Sequence, residues 1–351
     1  MNFRKRLAAL IKRIDEESAG AFLVTNATNV TYLTGFRGHD SFLLITGRKR
    51  YFITDSRYLE EARDTVKGFE LVLVKESTYD AVASVAKDIR AKEMGFEAMS
   101  LPYSAFSNLR KAKKGVRLVP LKDIVEGLRT IKDSDEMSAI RKAAALTGSI
   151  YKNFRRLVRT GVTEEGLSRA LKADIAKSGA ETAFDPVVAF DADAAKPHAI
   201  PGKAKVGRDC VIMADMGVKL NGYNSDMTRT ILLGDVKPRV RKIFDIVRKA
   251  LDIAIEKIAP GVKASEIDSA ARGFIRSGGY GGYFGHALGH GVGMDVHEGP
   301  SISRHNSKPL EEGMVFTVEP AIYIPKFCGV RIEEMVLVTG RGCEVITGGA
   351  Q

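Results

Sequence analysis

The stretch VIMADMGVKLNGYNSDMTRTILL, residues 211–233, constrains the fold more than any other part of the chain. Its two arms are largely apolar and flank Asn221-Gly222, a dipeptide that tolerates the left-handed backbone of a two-residue turn, so the stretch is read as an antiparallel hairpin. Pairing outward from that turn sets Gly217 opposite Asp226. Asp215 then becomes a diagonal neighbour of Asp226 on the same face, with Cβ atoms about 7–8 Å apart. Because the arms are otherwise apolar, both acids are expected to be largely buried, where two like charges without a cation repel strongly. A metal ion resolves this. The competing reading leaves one aspartate exposed at a strand end and pairs the other with Arg229.

A second dense segment is GYFGHALGHGVGMDVHEGP, which holds His286, His290 and His297 out of only six histidines in the chain. Glycine permits close approach of backbone to a site, and imidazole is the commonest metal ligand and proton carrier near neutral pH. The spacing is not HExxH, so a zinc site on a single helix is disfavoured. Further along, Glu319 lies in the apolar run MVFTVEPAIYIP. Glu333 lies in FCGVRIEEMVLVTG, with Val330, Ile332 and Glu334 on the opposite face. Acids on edge strands usually face water; if Glu319 and Glu333 are buried instead, they make with Asp215, Asp226 and His290 a five-ligand set of four carboxylates and one imidazole. Hard, oxygen-rich donors of this kind favour manganese, with cobalt, iron or zinc as alternatives, over a thiolate-type structural zinc.

The chain of 351 residues, 44 % apolar, is long enough for about two domains with a core each. Residues 1–128 alternate short apolar runs (AFLVT, SFLLI, YFIT, FELVLV, MGFE, VRLVPL) with a helical stretch, YDAVASVAKDIRAK, the βα rhythm of an α/β domain with a mixed sheet. From residue 129 to 351 the pattern changes. A long helix is expected after Asp133 or Ser134, a second after Thr163 and a third over RVRKIFDIVRKALDIAIEKI, separate from strand pairs that form an antiparallel sheet: an α+β layout. The basic start MNFRKRLAALIKRI breaks its apolar stretch at Lys12 and suits a short amphipathic helix, so neither a signal peptide nor a membrane span is expected. Three cysteines, in no metal or redox spacing, suit a reducing, cytoplasmic compartment. The net charge of +11 is spread out. Its one dense cluster, Arg110-Lys111-Ala112-Lys113-Lys114, lacks aromatic interleaving, so no nucleic-acid partner is expected.

These motifs resemble, over nearly the whole chain, the pita-bread metallopeptidases of the Xaa-Pro dipeptidase (prolidase) and Xaa-Pro aminopeptidase branch with a creatinase-like amino-terminal domain. NVTYLTGF and TDSRYLEEA match in the first domain; KPHAIPG, MADMG, NSDMTRT, GHGVGMDVHE, TVEP and GVRIEE match, in order, in the second. The chain departs from the family pattern at Ala321, where glycine usually follows the Glu-Pro pair, and in AFDADAA before KPH. Neither departure removes a ligand; both bear on pocket shape.

The resemblance implies two divalent metal ions per chain. Asp215 would hold one, Asp226 and Glu333 would bridge both, and His290 and Glu319 would complete the other. It also implies that Glu319 shuttles a proton, that His198 and His297 contact substrate and stabilise the tetrahedral intermediate, and that the protein is a homodimer acting on Xaa-Pro peptides. His286 is a further candidate for substrate contact. A dipeptidase must recognise the proline carboxylate, and Arg304 and His39, the latter from either subunit, are the available cations. Dipeptides are slightly favoured over longer peptides. Creatinase, methionine aminopeptidase and metal-free partner-binding relatives share the architecture. The full ligand set argues against the first and last, and the extra first domain against the second.

Overall fold

The computed structural model describes residues 1–112 and 115–348; Lys113 and Lys114 of the basic cluster lie outside them. The chain divides into two compact units, Met1–Arg129 and Thr130–Gln351. The first carries α1 (Phe3–Glu16), β1 (Phe22–Val24), α2 (Ala27–Thr34), β2 (Phe42–Ile45), β3 (Arg50–Thr54), α3 (Leu59–Thr65), β4 (Glu70–Leu73), α4 (Thr78–Asp88), β5 (Glu93–Glu97), α5 (Tyr103–Ala112), β6 (Arg117–Leu121) and α6 (Glu126–Arg129). Its six strands form one sheet in the order β4-β3-β2-β1-β5-β6. Only β2 runs against its neighbours, so the sheet is mixed, as expected. The amphipathic helix at the start forms, burying Leu7, Leu10 and Ile14. Helix α2, inside the motif NVTYLTGF, has no apolar period to announce it. Asn26 caps its N-terminus by accepting the N–H groups of Thr28 and Asn29, and Gly35 closes it in the left-handed conformation.

The second unit opens with α7 (Ser134–Leu157), whose start is a capping box between Asp133 and Glu136. There follow α8 (Glu164–Lys177), β7 (Glu181–Thr182), β8 (Val187–Phe190), β9 (Cys210–Met216), β10 (Val218–Leu220), β11 (Tyr223–Asn224), β12 (Met227–Leu233), α9 (Pro238–Glu256) and α10 (Ala264–Ser277). The chain continues through β13 (Gly289–Gly291), β14 (Glu298–Ile302), β15 (Val315–Val318), β16 (Ala321–Ile324), β17 (Cys328–Arg331), β18 (Glu334–Thr339) and β19 (Gly342–Val345). All their pairings are antiparallel. One core lies between α9, α10 and β13–β18, with Ile243, Val247, Ile267 and Ile275 against Phe316, Ile322 and Val336. Another joins α7 and α8 to β8, β9 and β12. Asp215 on β9, His290 on β13, Tyr323 on β16 and Arg331 on β17 line one cavity, with Asp226, Glu319 and Glu333 from the segments between strands.

Candidate active site

Two long hairpins, each broken once, supply the four acids. The first turns at Asn221-Gly222, both with positive φ (54° and 86°). Its pairs Leu220↔Tyr223 and Lys219↔Asn224 near the turn and Met216↔Met227 and Asp215↔Thr228 beyond it keep one register, which sets Asp226 diagonal to Asp215 as expected. Asp226 sits in the break between β11 and β12. The second hairpin pairs Val318↔Glu334 on one side of its break and Ala321↔Arg331 on the other. That same register puts Glu319 directly opposite Glu333. Both glutamates therefore lie between strands and not within them as the pattern suggested. Pro320 has no N–H for the ladder, and the N–H of Glu333 turns aside to the Thr228 carbonyl (3.1 Å).

His290 stands on β13, between the hairpins. Its N–H donates to Thr317 Oγ1 (3.0 Å), and its Nδ1 donates to the Gly291 carbonyl (3.1 Å). This leaves Nε2 free of its proton and aimed at Asp226 Oδ2 (3.7 Å) and Glu319 Oε1 (3.4 Å). A Cβ on Gly289 would collide with the Thr317 carbonyl, so glycine is what lets β13 come this close.

The electrostatics of this cluster call for a cation. Burial pushes the carboxyl groups of Asp226 and Glu333 well above their usual range, and the neighbouring carboxylates push the same way. Glu319 rises to about 7 for the same first reason. Asp215 is also raised by burial, against the pull of Arg331. His290 falls to about 4 because burial and then His297 disfavour its charge, so the imidazole is neutral and able to ligate. Asp215 Oδ1 is buried with no hydrogen-bond partner. One ligand atom each from Asp226, His290 and Glu333 lies within 4.8 Å of the others. The donor set fits divalent metal, which would satisfy the orphaned oxygen and remove the repulsion.

All five residues except Asp226 and Glu333 are partly open to a cavity of about 1060 Å³ that all five line, together with His198, His286, His297, Tyr323 and Arg331. His198 and His297 are exposed on its wall, the His297 ring centroid 4.2 Å from that of His290. His286 donates from Nδ1 to the Ala287 carbonyl (2.7 Å) and leaves Nε2 without a partner. Arg304 is exposed on a different, smaller cavity with Asp268, Arg272 and His305. His39 is exposed in the first unit, between α2 and β2.

Sequence reasoning passed over Arg331, Tyr323 and Thr228. Buried Arg331 donates from Nη2 to Asp215 Oδ2 (2.5 Å) and from Nη1 to Tyr323 Oη (2.7 Å), and the Thr228 hydroxyl donates to Glu333 Oε2 (2.7 Å). The signal was present for Arg331, a charge in the apolar run GVRIEE of the kind that marked Glu319. Arg229 does not pair with either aspartate; it binds Glu334 (2.8 Å).

Residues 138–340 match the model of metallopeptidase family M24, and residues 6–131 match the creatinase/prolidase N-terminal domain. The chain belongs to metallopeptidase family M24. A curated Xaa-Pro dipeptidase of Pyrococcus furiosus is 34 % identical over 346 residues, covering 98 % of each chain. Among solved structures, an Xaa-Pro dipeptidase from Bacillus anthracis superposes with a TM-score of 0.96 at 34 % identity, over 99 % of this chain and 98 % of that one. An X-Pro aminopeptidase from Thermotoga maritima gives 0.87 at 35 % identity, over 96 % and 97 %. This metallopeptidase therefore has the two-domain pita-bread architecture expected from the motifs.

Proposed function

We propose that this metallopeptidase is a dinuclear exopeptidase that hydrolyses the Xaa-Pro bond at the amino terminus of dipeptides and short peptides. The observation that carries the reading is the convergence of four acids, two of them buried and two partly open to the cavity, with one neutral imidazole between two hairpins, in a family with relatives of that activity. Asp215, Asp226, His290, Glu319 and Glu333 would hold the ions, manganese being the best match to their oxygen-rich chemistry. Divalent ions supply Lewis-acid polarisation of the scissile carbonyl and lower the pKa of the attacking water. Glu319 would take a proton from that water and pass it to the departing proline nitrogen. His297 and His198, on the cavity wall, would donate to the oxyanion as it develops. Arg331 holds Asp215 in place from the side opposite the orphaned oxygen. The proline ring fixes its own geometry and offers no N–H, so a pocket shaped to it selects that bond.

A second reading, aminopeptidase action on longer Xaa-Pro peptides, is favoured by one observation. The cavity of about 1060 Å³ is at the top of the usual range for small-ligand sites, and Arg304, a candidate carboxylate clamp, does not line it. Comparing kcat/KM for an Xaa-Pro dipeptide, its amide and a tripeptide, with and without Mn²⁺, tests both. Selective cleavage of the free dipeptide supports the dipeptidase, equal cleavage of all three supports the aminopeptidase, and no metal-dependent cleavage of any refutes the proposal. No helix among the described residues is long and apolar enough to cross a membrane. The three unpaired cysteines are consistent with a cytoplasmic setting.

A further inference from the structure

Glu333 owes its placement to groups that lie outside the cavity. Its carbonyl oxygen accepts Arg229 Nη1 (2.5 Å), in addition to the two contacts its N–H and Oε2 make with Thr228. Arg229 is buried on β12, and its Nη2 donates to Glu334 Oε1 (2.8 Å) and to the Thr347 carbonyl (3.2 Å). Thr347, buried in the turn after β19, uses its hydroxyl twice. It donates to Glu334 Oε2 (2.5 Å) and accepts the N–H of Met335 (2.8 Å). Arg229, Glu334 and Thr347 are absent from the cavity wall. A buried Arg–Glu pair is costly to bury and holds its geometry only if its remaining polar atoms are satisfied. Here Thr347 satisfies both partners, one with its carbonyl and the other with its hydroxyl. The arginine so fixed ends on the peptide group of Glu333 itself.

We propose that Thr347 is a positioning residue for the metal-holding carboxylates: acting through Glu334 and Arg229, it sets the peptide of Glu333 and so the direction of its carboxylate. The inference rests on the reading of Glu333 as a metal ligand. Groups that orient ligands from outside typically change metal affinity by about 10–100-fold when removed.

The test is calorimetric titration of Mn²⁺ into the chelator-stripped full chain, with the unfolding midpoint of each metal-free variant measured alongside. Thr347→Val, which keeps the shape and deletes the hydroxyl, is expected to bind Mn²⁺ about tenfold or more weakly, and Thr347→Ser to restore the affinity. Wild-type affinity in Thr347→Val overturns the proposal, whatever happens to its stability. Should that variant fail to fold, Thr347→Ala deletes the same hydroxyl without placing a methyl group against Glu334, and unchanged affinity there overturns the proposal equally. Glu333→Gln separates the two ideas. Loss of Mn²⁺ binding in Glu333→Gln with full binding in Thr347→Val defeats the positioning role alone, whereas wild-type binding in Glu333→Gln defeats the ligand reading beneath it.

Discussion

Replacing Glu319 by glutamine is expected to stabilise the metal-free protein at alkaline pH while abolishing catalysis. Burial raises the Glu319 carboxyl from 4.5 to about 7 in the folded state. Between those two values the folded chain keeps a proton that the unfolded chain has released, so stability is fully present below pH 4.5 and is lost as pH rises through 7. A displacement from 4.5 to about 7, at 1.36 kcal/mol per pH unit, amounts to about 3 kcal/mol. Glutamine has the same shape and never titrates. Metal-free Glu319→Gln should therefore match the wild type near pH 4 and exceed it by about 3 kcal/mol at pH 8, roughly 6–12 °C in the unfolding midpoint for a domain of this size. Thermal unfolding of exhaustively chelated protein across this range is the assay. Mn²⁺ at pH 8 should raise the wild type far more than the variant, because the ion replaces the proton as the partner of the carboxylate. Parallel decline of both proteins between pH 4 and 8 would refute the reasoning, since Glu319 would then be paired some other way.

Asp226→Ala and Glu333→Ala are each expected to remove activity and to lower the metal content from about two ions per chain; full turnover in chelated Asp226→Ala would show that no ion is needed there. His297→Ala should reduce kcat by about 10²-fold with the metal content unchanged, and elemental analysis showing one ion fewer would make His297 a ligand instead. If His39 meets the proline carboxylate, His39→Ala should raise KM about tenfold for an Xaa-Pro dipeptide and leave the amidated substrate unaffected, while equal effects on both would remove it from the site. Light scattering is expected to give a homodimer, and a fully active monomer would exclude a contribution from a partner subunit.

The first hairpin was legible to the residue, because a two-residue turn with alternating arms fixes register and register fixes which acids share a face. Helices α7, α8 and α9 were legible from caps and apolar spacing. Helices α2, α3, α5 and α10 were passed over: α2 and α3 are short and lack a marked period, whereas α10 carries a clear apolar face, with Ile267, Ala271 and Ile275 buried, that the reading missed. In the second hairpin the apolar runs on either side of Glu319 and Glu333 read as continuous strands. On one arm the break was signalled by Pro320, which has no N–H for the ladder; on the other it comes from the Thr228 carbonyl that draws away the N–H of Glu333, which no local pattern encodes. The same holds for Thr347, whose partner Met335 lies 12 residues away, whereas Arg331 was signalled by its charge in an apolar run and only its partner Asp215, 116 residues away, was not. Side chains that act on metal or substrate stood out by type; those that hold them in place did not.

The division of the acids between two hairpins also orders events during synthesis. Thr228 and Glu333 touch across 105 positions of chain, so the first hairpin is made long before its counterpart leaves the ribosome. At the rates typical of translation, about 5–20 residues per second, that interval is roughly 5–20 s. Until β13 emerges, Asp215 and Asp226 have neither their opposing acids nor His290 beside them, and an ion meeting them finds two of the five donors. Stable capture belongs to the completed second unit, which makes the choice of metal a property of the finished fold and of the ions then at hand. Chains halted before β13 emerges are expected to be free of bound metal.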